Sequence, residues 1–164
     1  MRFIKLALIS LVVLSLLVLG MSLLIPSHVR ISRAINITAP KDSLVLQLSD
    51  LRNWKEWNAL VNNADMTNSS YSNNTVTSDK VQVLLKEVKA DTIFTQWNQA
   101  GGREIASGFT LHVQDNTAVV QWYFDFKLKW YPWEKFGSII FDKQLGPPME
   151  YSLATLKKLL EKTP

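Results

Sequence analysis

Imidazole chemistry in this chain rests on two residues, His28 and His112. Neither has a second His three or four positions away, so the commonest helical spacing for a metal pair is missing. There is no cysteine, which removes thiolate nucleophiles, zinc–thiolate sites and disulfides. Nucleophilic attack would fall to Ser, Thr or Lys, yet no Gly-x-Ser-x-Gly elbow and no phosphate-cradling glycine pattern occurs. A general acid or base needs a carboxylate whose pKa an apolar setting has raised. Glu104 and Asp125 fall on outward parities of their strands. Glu87 has inward parity, but at a strand end between Lys86 and Lys89, where a solvated terminus is expected. Arg33 is the remaining oddity, a cation on the apolar parity of a strand. A bulge or a sheet end would explain it; pairing with a buried carboxylate or an anionic head group is the other reading. No catalytic residue, metal ligand or cofactor is assigned on these grounds.

The elements that must position these groups read clearly in places. From Val29 to Ile37 apolar and polar residues alternate, apart from Arg33, as in a half-buried strand. Thr38-Ala39-Pro40-Lys41-Asp42 leaves that strand and starts a helix with Leu44, Val45 and Leu48 on one side, ended at Asp50. A second short helix carries Leu51 to Asn58, with Trp54 and Trp57 three apart and so on one face. Asn62 to Asn74 is rich in Asn, Ser and Thr and contains loop, with a strand starting near Ser70. Alternation then marks Val81-Val83-Leu85, Ile93-Thr95-Trp97 and Ile105-Phe109-Leu111-Val113. Short turns at Gln99–Gly102 and Gln114–Asn116 make these strands antiparallel neighbours.

The strongest strand signal runs from Thr117 to Trp130. Ala118, Val120, Trp122, Phe124, Phe126, Leu128 and Trp130 form one face, and Gln121, Asp125, Lys127 and Lys129 lie on the other. After Tyr131-Pro132 the period becomes helical. Phe136, Ile139, Ile140 and Lys143 fit one helix, Gly146-Pro147-Pro148 interrupts it, and Leu153, Leu156, Leu159 and Leu160 fit the next. A sheet followed by helices that cover its apolar face is an α+β architecture.

Ahead of all this, Leu6 to Ile25 holds 20 residues without a charge. As a helix it is about 30 Å long, the thickness of a bilayer's hydrocarbon core. Arg2 and Lys5 precede it, as in a signal peptide, but the run is longer than a usual signal h-region of roughly 7–15 residues. The following PSHVRIS offers no A-x-A-like cleavage site either. An uncleaved membrane anchor over residues 1–26 is therefore expected, with one folded domain over 27–164. A short inside N-terminus would put the domain on the outer side of the membrane. Only Pro26, Ser27 and His28 lie between anchor and first strand, so the domain should sit against the bilayer.

Setting Arg2 and Lys5 aside leaves 16 basic and 14 acidic residues out of 18 and 14. That balance argues against a nucleic-acid surface, which needs clustered Lys and Arg.

VRISRAINITAP, the helix after it, LSDLRNWKEWN and the closing GPPMEYSLATLKKLLEK together resemble the START-like (SRPBCC) superfamily of polyketide cyclase/dehydrase-like and lipid-transfer proteins. The resemblance covers Val29 to Lys162. It implies a helix-grip fold, a curved antiparallel sheet around a long C-terminal helix, with an apolar cavity between them. It also implies an apolar small-molecule ligand, such as a lipid, lined by Trp57, Trp97, Phe109, Trp122, Phe124, Phe126, Phe136 and Ile140. The residues alone allow these aromatics to fill a core just as well. A minority of the superfamily are enzymes, so a cyclase-, dehydratase- or hydrolase-like activity in the same cavity is the alternative. The broken final helix would make the Phe136–Gly146 piece a lid.

Overall fold

The computed structural model of the protein describes residues 2–63, 66–114 and 117–161. Seven strands form one antiparallel sheet: β1 (His28–Ile37), β2 (Ser70–Tyr71), β3 (Thr75–Thr77), β4 (Val81–Lys89), β5 (Thr92–Gln99), β6 (Glu104–Gln114) and β7 (Thr117–Lys127). Their order is β1-β7-β6-β5-β4-β3-β2, so the first strand closes against the last and every other step is a hairpin. Two short helices, α2 (Lys41–Ser49) and α3 (Trp54–Trp57), cross between β1 and β2, joined by a 3-10 turn over Leu51–Asn53. After β7 come α4 (Pro132–Ser138) and the long α5 (Phe141–Glu161).

Alternation decides which face of the sheet is inside. Ile93, Trp97, Ile105, Phe109, Leu111, Val120, Trp122, Phe124 and Phe126 all point to the helical side and are buried. Met149, Leu153 and Leu156 of α5 meet them, and α3 adds Trp54 and Trp57. The rings form a continuous cluster: Phe109 stacks on Trp122 at 5.0 Å between ring centres, and Trp54 and Trp57 meet Phe109 edge-on at 5.7 and 5.9 Å. Fully burying a Leu or Phe contributes roughly 1.5–3 kcal/mol, so this cluster is the chief source of stability. Polar handles inside it are partly satisfied. Trp122 Nε1 donates to Ser107 Oγ at 3.0 Å and Trp54 Nε1 to the Leu48 carbonyl at 3.1 Å.

Three expectations change. α5 runs unbroken through Gly146-Pro147-Pro148; the interruption falls earlier, at Ile139-Ile140. The two prolines remove donors toward the Lys143 and Gln144 carbonyls, but both residues are exposed, where water can replace the donors. Gly146 is where α5 passes Arg33 so closely that an added Cβ would overlap the guanidinium Nη2. Arg33 itself sits in unbroken register opposite Trp122, so neither a bulge nor a sheet end accounts for it. It pairs with Glu150 (2.5 Å) and Asp142 (2.9 Å) of α5, bridging both sides of Gly146.

The third change concerns β7, which ends at Lys127 rather than Trp130. The last bond on this edge runs from Leu128 N to the Ser27 carbonyl at 2.8 Å. Beyond it the neighbouring chain enters the last turn of the N-terminal helix, where Ile25 N donates to the Ser22 carbonyl. Lys129 N instead donates to Glu134 Oε2 at 2.9 Å and the chain turns into α4. The expected turn at Asp115-Asn116 lies outside the described residues, as do Ala64 and Asp65 within the Asn62–Asn74 stretch.

The N-terminal helix α1 (Arg2–Leu24) is long and apolar enough to cross a membrane, and nearly all of it stands clear of the domain. Its closest ties to the domain are in the last turn, where Ser22 is buried and Lys135 Nζ of α4 donates to the Ile25 carbonyl at 2.8 Å. A cation on the orphan carbonyls at a helix C-terminus is favourable on both hydrogen-bond and dipole grounds.

Candidate functional site: an apolar cavity at one end of the sheet

The antiparallel order fixes what lies at each end of the sheet. β1 begins, β4 begins, β5 ends, β6 begins and β7 ends at the same edge, the one where α1 meets the domain. A partly open cavity of about 390 Å³ occupies this end, between the inner face of the sheet and α5. Its floor is Val81, Trp97, Ile105, Phe124 and Phe126. Leu145 of α5 closes one side, Leu60 and Met66 another, and the β5–β6 turn supplies Gln99, Ala100 and Gly101. Lys80 and Gln99 are its polar side chains. It falls within the usual volume range for small-molecule sites, and its apolar lining with few polar groups is typical of them.

Local sequence explains the hollow. The inner positions of β6 run Ile105, Ser107, Phe109, and large rings fill the middle of the sheet where Phe109, Trp122, Trp57 and Trp54 interlock. Toward the α1 end the facing positions shrink to Val81, Ile105 and Ala100, and Phe126 leans on Phe141 at 4.8 Å rather than filling the space. The turn that walls the mouth is braced from α4 by an Arg103–Glu134 ion pair at 3.3 Å.

Of the aromatic set expected from sequence, the cavity gathers Trp97, Phe124 and Phe126. Trp57, Phe109 and Trp122 lie in the packed cluster behind it. Phe136 stands on α4 and Ile140 is 52% exposed between α4 and α5, and neither lines the cavity. Leu60, Met66, Val81, Ile105 and Leu145 line the cavity without having been singled out. Val81 and Ile105 had the right parity as signals, whereas Leu60 and Met66 sit in irregular chain with no period to read. Trp57 Nε1, Trp97 Nε1 and Thr95 Oγ1 are buried without hydrogen-bond partners among the described residues.

Glu87 does not face the cavity. A bulge between Leu85 and Glu87 shifts the register so that Glu87 opposes the outward Phe94, and it pairs with Lys89 at 3.0 Å. Asp125 and Glu104 border a separate polar groove of about 510 Å³ on the outer face. There Arg30 donates twice to Asp125, at 2.6 Å each, and lies 4.4 Å over the Tyr123 ring. These bonds hold the Asp125 carboxyl below the usual carboxylate range, while burial pushes the Tyr123 phenol up. Among the described residues no cluster of three or more His, Asp or Glu could hold a metal ion.

No protein-family model matches the sequence, and no curated protein matches it either. Solved structures do. A START superfamily protein from Mycobacterium smegmatis superposes with a TM-score of 0.59 at 14% identity, covering 84% of this chain and 99% of that one. Truncated norcoclaurine synthase from Thalictrum flavum gives 0.59 at 9% identity, over 84% and 96%. DynU16, a protein of the dynemicin biosynthetic locus, gives 0.55 at 17% identity; the match covers 84% of this chain but 48% of DynU16. With a seven-stranded sheet closed around a long C-terminal helix, and with these likenesses, the chain has the START-like helix-grip fold.

Proposed function

We propose that this chain is a membrane-anchored binding module, with residues 1–26 as anchor and 27–164 as a domain that takes up a lipid or similar apolar molecule. The observation that carries the reading is the position of the cavity. It lies toward the end of the sheet at which β1 follows α1, so in this reading a molecule leaving the bilayer would have a short path to apolar surface. The likeness to a START superfamily protein and to norcoclaurine synthase supports a small-molecule-binding reading. Trp97, Phe124 and Phe126, with Leu145 and Ile105, are the ligand-contacting residues in this reading. The short basic N-terminus is assigned to the inside and the domain to the outer side of the membrane.

A cyclase-, dehydratase- or hydrolase-like enzyme would need an acid or base facing the ligand. Among the described residues the lining holds no Asp, Glu, His or Tyr, and Lys80 is its one titratable side chain, so the binding reading is preferred. The test is native mass spectrometry of the full chain extracted in mild detergent from its own host membrane. A stoichiometric adduct of lipid mass is expected, and Ile105→Trp, which fills the cavity floor, should remove it. A chain that keeps its apo mass against a broad lipid panel would overturn the reading in favour of a filled core.

A further inference from the structure

Four consecutive residues after β7, Trp130-Tyr131-Pro132-Trp133, form an aromatic stack with no role in the core or the cavity. Trp130 and Tyr131 rings are 4.9 Å apart, and Tyr131 and Trp133 lie nearly parallel (6°) at 4.8 Å. Both indoles are held out from the domain, Trp130 at 69% and Trp133 at 70% exposure. Large rings so displayed need an apolar neighbour. The neighbour they already have is α1: the stack and Leu14, Ser15, Val18 and Leu19 line one shared recess.

That contact fixes a depth. At about 1.5 Å per residue, Leu19 and Leu14 stand roughly 8–15 Å back from the end of α1 at Leu24. A bilayer leaflet's hydrocarbon is about 15 Å thick. If α1 spans the membrane, the stack beside those residues cannot lie in bulk water. At that depth the rings lie below the interfacial belt, against acyl chains, where Trp and Tyr bury a large apolar area. The exposed Lys127 and Lys129, three and one residues before Trp130, have long stems that can snorkel toward lipid phosphates.

We infer that Trp130, Tyr131 and Trp133 insert into the leaflet from which α1 emerges, a second membrane contact that fixes the domain's tilt and holds the cavity mouth at the lipid surface. This rests on the anchored reading above, and commits the aromatic face to lipid rather than to a protein partner.

The experiment uses the full chain reconstituted in phosphatidylcholine vesicles with or without brominated acyl chains, which quench tryptophan on contact. Of the six Trp, Trp54, Trp57, Trp97 and Trp122 are buried in the domain, so acyl-chain quenching should come chiefly from Trp130 and Trp133. In Trp130→Phe/Trp133→Phe the quenched fraction should fall to about half or less, with each single variant intermediate. The residue left in the double variant would report brominated lipid reaching Trp97 in the cavity. Quenching unchanged in the double variant overturns the inference, as does a wild-type chain that floats with vesicles yet is not quenched. The second outcome would hand the aromatic face to a protein partner and leave the anchor intact. Failure to float overturns the anchor and the insertion together, whereas loss of the lipid adduct in mass spectrometry alone would touch only the cavity. The single variants and the wild-type measurement decide the matter if the double variant misfolds.

Discussion

Asp125 carries the largest electrostatic commitment on the outer face, taking two hydrogen bonds from Arg30 with His28 Nε2 at 3.9 Å. Its folded pKa is depressed, with the Arg30 bonds as the main cause. The pair therefore stabilises the fold above the unfolded carboxylate pKa of about 4, and that contribution is lost as pH falls through the lower folded value. Thermal unfolding of the full chain in a non-ionic detergent, followed by circular dichroism, should show stability dropping on acidification below about pH 4. Asp125→Asn should be less stable at neutral pH and should flatten part of that drop. Asp50, bonded by Arg52, and Asp79, bonded by Thr67, shift in the same direction, so the flattening will be partial. Residue-level features were legible in sequence where parity decided them, as for Trp97 and Phe124. They failed at Glu87 because one bulge residue inverts every later parity in β4, and no residue type in Val-Leu-Leu-Lys-Glu announces it.

At the level of elements, apolar packing holds α5 on the sheet, and one cation of β1 passes under a glycine of α5. Arg33 reaches Glu150 and Asp142 only because Gly146 has no side chain. Gly in a helix interior costs about 1 kcal/mol relative to Ala, and a partly exposed ion pair returns a similar or smaller amount. Gly146→Ala should therefore be close to neutral in the natural sequence, because helix propensity gained is offset by displacing Arg33. In an Arg33→Ala background the same change should stabilise by about 1 kcal/mol, since the conflict is gone. Urea unfolding of the four members of this cycle measures it; equal effects in both backgrounds would disprove the coupling. The longer strands and helices were readable from period, but the short β3 and the course of α5 were not. Gly-Pro-Pro signals a break locally, and packing of Met149, Leu153 and Leu156 against the sheet overrides it.

Viewed whole, the domain and α1 are tied by Lys135, a buried cation whose ammonium is spent on the Ile25 carbonyl. Lys135→Met keeps the stem's packing and removes that bond. Amide exchange in α4 and at Leu23–Ser27 should speed up in the variant while exchange in β5–β7 stays unchanged, because the core is remote from the change. Uniform acceleration would mean that Lys135 supports the fold rather than the junction. The sheet-plus-helix architecture was visible in the sequence; the difference between packed and hollow was not. Trp122 and Phe124 are two residues apart on one face, yet one is locked among rings and the other borders the cavity. That depends on the volumes facing them across the fold, which no local pattern encodes.

Ile25, Pro26 and Ser27 alone join α1 to β1. Fully stretched, three residues reach about 10 Å, far short of the gap to any opposing membrane. If α1 is held in a bilayer as proposed, a domain on such a leash would not ferry cargo across an aqueous space. In the anchored reading proposed above it would work as a fixed port, loading and unloading in the plane of one bilayer.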